Sequence, residues 1–511
     1  MGNDKIDIGS RNQVFLDGRL MEETINVSIN VQKPRKTGEK NIVSDLYTYA
    51  RRGSSPIAIM SVEGKKELNA YSQVMEYDGT FKDFNYVSKN GSEWNLSTPE
   101  LLDSGDFSYG LRLCSRPALG WPEGTPHLDY ENVFADPNAE AEEKYKIVSA
   151  WQNKIFASKD GTDWKLIGAK MFPDSVYAPY PDAMNIVFFD DSIAEYVAYI
   201  RHQKLVEIPP KYKQYFSKQD LLAPMWEGKR ALRSVARLTS QDLRYFSEPK
   251  MVLQPDENDP VMDGVPVMDF HSPTVMKYGN AQDAYVMYSH PFLHYKEWYI
   301  SDDLSHYWTN NGQTPINCGS FDIRIAGSSD GINWEQYDRK PVIPLEMDND
   351  VDTSLWPVYG MICKADEIWA YYISSPTQNL PENGFEFRTV MSRVIFRKDG
   401  FTALEAPYSG GEFTTRTLGF DGNELQVNAE TSSVGLIRIE IQDEKGIPLE
   451  GYRLEECDRV YATNTTKKTV SWNKGKSDVS RLSGLPIRLR FELLFGAKVY
   501  SFKFGNAGTS M

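Results

Sequence analysis

Cysteine is scarce in this chain and never clustered. The 4 cysteines, Cys114, Cys318, Cys363 and Cys457, lie far apart, with no Cys-x-x-Cys pair and no histidine at ligand spacing. That spacing excludes a structural zinc site and gives no support to a disulfide framework. An excess of basic charge is also missing. Lys and Arg number 56 against 71 Asp and Glu, a formal net charge of -15 with a pI near 5.1. Nucleic acid and anionic membrane surfaces select basic patches and are not expected as partners. No apolar run reaches the roughly 18 residues that span a bilayer. The N-terminus, Met1-Gly2-Asn3-Asp4-Lys5, lacks the apolar core of a signal peptide. No membrane insertion is expected; the location is periplasmic or extracellular if Met1 stands where a signal peptide was removed, and cytoplasmic otherwise. Very little of the chain shows a 3.6 period, which sets helical folds aside. There is no Gly-rich phosphate loop, Gly-x-Ser-x-Gly elbow or His-Glu-x-x-His, which lowers nucleotide, esterase and metalloprotease chemistry.

Aromatic residues are abundant, at 13% with 11 Trp and 29 Tyr. Sugar-binding clefts use such rings as stacking platforms, but all-β cores use them too, and composition alone favours the core. Their order says more. Ser328-Ser329-Asp330-Gly331-Ile332-Asn333-Trp334 reads Ser-x-Asp-Gly-x-x-Trp, and Ser158–Trp164 has the same form. Ser88–Trp94 is a looser copy, while Ser240–Phe246 and Arg397–Phe401 keep the Asp and the closing aromatic. Asp or Asn before Gly suits a tight turn at positive φ, with the aromatic packing back on the sheet. Five such turns, about seventy to ninety residues apart, imply a repeat architecture.

Between the turns each unit follows one plan: an acidic or Pro-containing start, an apolar strand, an aromatic strand, then a strand ending in the hairpin. Five four-stranded units predict a five-bladed β-propeller over residues 45–401, with a pair of β-sandwiches as the structural alternative. Residues 1–44 are expected as N-terminal strands packing on the propeller. A Pro-Lys-Tyr-rich insertion at 205–230 reads as partly helical. From 402 to 511 short alternating strands at close spacing, such as Gly435–Ile441 and Ile487–Leu493, read as a C-terminal β-sandwich. The fold class is therefore all-β.

On Phe15-Leu16-Asp17-Gly18, Asp136-Pro137-Asn138-Ala139, Ser158–Trp164 and the tail Gly451–Asp458 with Leu489–Leu493, the chain resembles the five-bladed propeller glycoside hydrolases of families 32 and 43. It is most similar to bacterial family-32-like glycosidases. The resemblance is specific for architecture and weak for substrate. It implies a central funnel in which carboxylates from the upstream ends of the inner strands converge, because cleaving a glycosidic bond takes one protonated and one ionised carboxyl. Candidates in order are Asp136, Asp182, Asp269 and, before the fifth blade, Asp350 and Asp352. Asp136 resembles the family's first acidic residue, as base or nucleophile, and is otherwise an Asx-turn. Asp182 is similar to its orienting Asp, or else caps a loop. Asp190-Asp191 reads as an ordinary hairpin turn.

Where the related hydrolases place a Glu before a Pro as general acid, this chain has His271-Ser272-Pro273. The acid then falls to Asp269, to His271, or to Glu346 or Asp352 in the next loop; His271 otherwise bonds a sugar hydroxyl or a neighbouring strand. Glu455-Glu456-Cys457 reads as a strand end in the sandwich. Arg201, His202, Arg233 and Arg324 are candidates to face the funnel and meet an acidic sugar, and His290 to line it. The expected function is a glycoside hydrolase acting on a poly- or oligosaccharide. The alternatives are a non-catalytic carbohydrate-binding propeller, which the missing Glu favours, and a glycoside phosphorylase, which needs a basic cluster beside one carboxylate. No cofactor is expected, with a structural calcium in the funnel left open, and carbohydrate is the expected partner.

Overall fold

The computed structural model describes residues 5–44, 50–53, 58–76, 81–97, 132–150, 153–177, 185–207, 225–226, 229–262, 265–266, 268–294, 319–345, 354–375 and 389–506. The chain is all-β. Five antiparallel sheets follow one another in sequence order. Blade I is built on Ala58–Ser61, Leu68–Glu76, Phe81–Ser88 and Asn95–Leu96. Blade II runs Val133–Ala135, Tyr145–Ser149, Lys154–Ser158 and Lys165–Ala169. Asn185–Asp190, Glu195–Val206, Lys229–Ser240 and Lys250–Leu253 make blade III. Blade IV holds Met268–Lys277, Tyr285–His294, Arg324–Ser328 and Glu335–Gln336. Blade V has Ser354–Pro357, Glu367–Ser375 and Thr389–Arg397, and its outer strands come from the N-terminal segment, Arg35–Lys36 and Ile42–Ser44.

The inner strands of blades I to IV pack on one another in succession, and Ser354–Pro357 of blade V packs on Tyr285–His294 of blade IV. The fifth blade returns to the first, where Ile59 N–H donates to Tyr359 O at 2.8 Å. Closing a ring of sheets removes the exposed edges that an open array would leave.

The repeated turn latches this ring. In three copies the serine hydroxyl accepts the glycine N–H, at 2.9 Å for Ser88 and Gly91, 3.0 Å for Ser158 and Gly161, and 2.9 Å for Ser328 and Gly331. Asp330 Oδ1 caps the N–H groups of Ile332 and Asn333, and Asp160 does the same for Thr162 and Asp163. Burial opposes the Asp160 anion, but these bonds and those from Thr162 and Ser158 hydroxyls bring its pKa down to about 2. The glycine carbonyl then accepts a buried tyrosine hydroxyl from the preceding blade: Tyr71 on Gly161 at 3.0 Å, Tyr199 on Gly331 at 2.7 Å, and Tyr371 of blade V on Gly91 at 2.6 Å. The turn is thus a joint between blades as well as a hairpin. Blade III departs from the pattern as a matched pair. Blade II presents Val148 instead of a tyrosine, and Leu243 stands in the glycine position at φ +62° within the same apolar cluster.

The C-terminal unit is two sheets around one core that includes Phe413, Phe491, Phe502 and Trp472. Strand Ile487–Leu494 alternates buried and half-buried positions without a break, as its sequence pattern requires. The N-terminal segment is shared between the units. Ile6–Gly9, Gln13–Val14, Met21–Ile25 and Ser28–Val31 pair with the sandwich, two strands finish blade V, and Val14 and Leu16 pack into the core between blades IV and V. The sequence pattern of those strands carries no record of their partners. The fifth motif copy is the joint between the units: Asp399 accepts from Tyr278 at 2.8 Å and from Ser501 at 2.6 Å. Most of the insertion expected at 205–230 lies outside the described residues. Among the described residues no helix is long and apolar enough to cross a membrane.

Candidate functional site

The two ends of the ring are told apart by their contacts. At one end lie the last residues of the inner strands. Asp190 accepts from Lys277 at 2.6 Å and from Tyr285 at 2.5 Å, and Asp136, following Val133–Ala135, accepts from Tyr196 at 2.8 Å. Asp136 and Asp190 therefore play one role in successive blades, each receiving a phenol from the next blade's second strand. Asp136 is buried, accepts Asn138 N–H at 3.0 Å as an Asx-turn, and has the buried Lys146 at 3.8 Å. Its tyrosine partner is raised to about 12 by burial and by that carboxylate.

At the other end lie the first residues of the inner strands, and there a second group assembles. Asp269, second residue of Met268–Lys277, is buried and paired with buried Arg233, whose backbone N–H and Nη1 both reach Asp269 Oδ2 at 3.3 Å. Buried Arg201 donates from Nε to His271 O at 2.6 Å, and its Nη2 lies 3.1 Å from both ring nitrogens of His271. His271 Nδ1 is 2.8 Å from Ser272 Oγ. These contacts follow from register. On blade III, Arg201 pairs with Val235 and Gln203 with Arg233, so the two arginines leave one end of adjacent strands toward the same inner strand of blade IV. His202, next along from Arg201, points to the opposite face, and burial lowers its pKa.

Rings wall the group. Phe321, Trp356 and His290 lie 4.7, 5.0 and 5.4 Å from the His271 ring centroid, and Phe292 packs on Phe321 at 4.5 Å beneath Arg233. Among the described residues of this group His271 and Trp356 are half-buried and the others buried. His290 is fully buried with Nε2 3.0 Å from Leu355 O. A carbonyl only accepts, so Nε2 carries the hydrogen and Nδ1 the lone pair. Burial, with Arg201 nearby, pushes the His290 pKa down to about 3. Among the described residues Nδ1 has no hydrogen-bond partner, leaving a buried acceptor beside His271.

The expected grouping of acids is divided by this geometry. Asp269, His271, Arg201 and His290 come together. Asp136 stands at the far end of its strand, and the six residues of the neighbouring inner strand Asn185–Asp190 span roughly 16 Å. Arg324 is buried against Asp259 at 3.6 Å with Nη1 3.9 Å from Met268 Sδ. Asp182, Glu346, Asp350 and Asp352 lie outside the described residues. Sequence reasoning missed Asp322, next to Phe321, whose carboxyl is pushed up by burial with Arg324 offsetting only part. It also missed Phe292, Phe321 and Trp356 as the wall; the only sequence signal was that Trp356 begins the fifth unit. Among the described residues no group of three or more His, Cys, Asp or Glu is placed to hold a metal ion.

No family model matches the chain, and no curated protein matches it in sequence. Among solved structures it is similar to a glycoside hydrolase family 43 arabinoxylan arabinofuranohydrolase from Bacillus subtilis, at 10% identity over 93% of this chain and 99% of that one, with a TM-score of 0.36. It is also similar to a beta-1,2-mannobiose phosphorylase from Listeria innocua, at 11% identity over 73% and 97% with a TM-score of 0.38. A third is the catalytic domain of a GH62 alpha-L-arabinofuranosidase from Coprinopsis cinerea, at 9% identity over 72% and 97% with a TM-score of 0.36. At these identities no side-chain role passes from those proteins to this chain.

Proposed function

We propose that this protein cleaves a glycosidic bond of an oligosaccharide at the upstream ends of the inner strands, around Asp269. The observation that carries the reading is the assembly there of a buried carboxylate, two buried arginines and a half-exposed histidine against a wall of rings. Trp356 offers an apolar face to a sugar ring, and His271 bonds its hydroxyls. Asp269, held by a guanidinium, serves as an anion: the base or the nucleophile. In the hydrolase reading Asp182 is the second carboxylate. It precedes Asn185–Asp190, whose first residue pairs with Ile200 beside Arg201. His271 or a carboxyl of the next loop, Glu346 or Asp352, donates the proton to the leaving oxygen. Asp136 is assigned to architecture.

Phosphorolysis is the second reading, favoured by a specific feature. Arg201 and Arg233 converge on the same stretch as Asp269, and a guanidinium pair suits a phosphate nucleophile better than a water. Incubation with a panel of oligosaccharides, with and without inorganic phosphate, separates the two. Turnover in water supports hydrolysis, and turnover only with phosphate, yielding a sugar phosphate, supports phosphorolysis. Turnover that survives Asp269→Asn undiminished refutes the assignment of the site.

A further inference from the structure

A cavity lined by none of the residues grouped around Asp269 lies where blade V meets the sandwich. Its volume is about 650 Å³, within the range of small-molecule sites. Strand Thr389–Arg397, the link Gln32–Arg35 and strand Lys498–Gly505 all contribute to it. The floor is preorganised. Arg397 stacks on the Tyr500 ring at 4.6 Å and is held by Asn428 Oδ1 at 2.7 Å and Ala429 O at 3.2 Å, while the Tyr500 hydroxyl donates to Glu430 at 2.7 Å. Burial lowers the Arg397 pKa, yet no carboxylate bonds its guanidinium directly among the described residues.

The rim differs in character. Lys33 and Arg35 line the cavity, are exposed, and make no ion pair among the described residues. Four basic side chains line the cavity, Lys33, Arg35, Arg397 and Lys498, against three acidic ones, Asp366, Glu367 and Glu430. That local balance stands out in a chain of net charge -15. Carboxylate oxygens and amides on the wall suit hydroxyl donors, and the two unpaired cations on the rim suit an anionic group. The ring of Tyr500 is covered by Arg397, so recognition is polar rather than by stacking.

We infer that this junction is a second binding site, for an acidic oligosaccharide of about two or three units, its carboxylate meeting Lys33 and Arg35. That the ligand is a sugar rests on the reading of the funnel; the anionic group rests on the cavity alone. The ligand bridges both units, since the residues it meets belong to a propeller strand, the N-terminal link and a sandwich strand.

Calorimetric titration with di- and trisaccharides of galacturonate, glucuronate and mannuronate, and with neutral cello-oligosaccharides of equal length, tests the site. Wild type and Asp269→Asn should bind a uronate oligosaccharide equally well. The double variant Lys33→Ala/Arg35→Ala should bind it at least about tenfold more weakly while keeping any funnel turnover, since each exposed cation supplies a charge-assisted contact. Raising ionic strength should weaken binding in wild type. Equal affinity for uronate and neutral sugars, no uronate binding by wild type, or binding lost in Asp269→Asn but kept in the double variant overturns the proposal. Retained uronate binding without turnover of any sugar, with or without phosphate, would instead remove the funnel reading and leave the cavity standing.

Discussion

Replacing Gly331 by alanine should strike the joint between blades III and IV twice. Gly331 has φ +69°, and a Cβ there would lie 2.6 Å from the Tyr199 hydroxyl oxygen. Left-handed backbone costs an alanine about 1 kcal/mol. Pushing the hydroxyl off the Gly331 carbonyl, now at 2.7 Å, leaves two buried polar groups short of a partner, at about 1–3 kcal/mol. The expected loss is therefore about 2–4 kcal/mol. Tyr199→Phe removes only the hydrogen bond and should cost about 1–2 kcal/mol. Because both changes act on one contact, the double variant should lose about 1 kcal/mol less than the sum of the single losses. Urea unfolding followed by tryptophan fluorescence is the assay, since Trp334 packs edge-on against Tyr199 at 5.9 Å. Strict additivity, or a Gly331→Ala loss below about 0.5 kcal/mol, would refute the latch.

Leu243→Gly tests which of two effects wins. It relieves left-handed strain of about 1 kcal/mol but deletes a buried leucine worth about 2–3 kcal/mol or more, so the same unfolding assay should show net destabilisation. His290 should make stability depend on pH. Its folded pKa is depressed to about 3 against an ordinary 6.5, so between those values the unfolded chain binds a proton that the folded chain refuses. Stability then falls as pH drops through that window, and His290→Phe should flatten the slope between pH 7 and 4. Asp136→Asn should lower the melting temperature, by weakening the Tyr196 and Lys146 contacts, while leaving turnover intact. Asp269→Asn should do the reverse to turnover, with loss of about a hundredfold or more.

The hairpin motif was readable because its physics is local. Ser328, Asp330 and Gly331 satisfy one another within three residues, and such bonds form in the same way wherever that spelling occurs. Its second role was hidden, because the tyrosine that docks on Gly331 stands 132 residues earlier. The N-terminal strands were visible as strands for the same local reason, whereas their division between sandwich and blade V depends on edges that exist only after both units have formed. Asp136 shows the limit most directly. An acidic residue before proline at the start of a unit reads alike whether it closes an inner strand or opens one. The end of the strand it occupies is set by pairing, Ala135 with Tyr145, and not by composition.

By itself, then, the sequence determined the all-β class, the repeat and the turns, since alternation and short-range hydrogen bonding act along the chain. Only the tertiary structure decided which charged residues meet. Asp269 gained Arg233 from 36 residues away and His271 gained Arg201 from 70, while Asp136 was carried to the opposite end. Direction around a closed ring is a property of strand pairing, and pairing between distant segments leaves no mark on either segment alone.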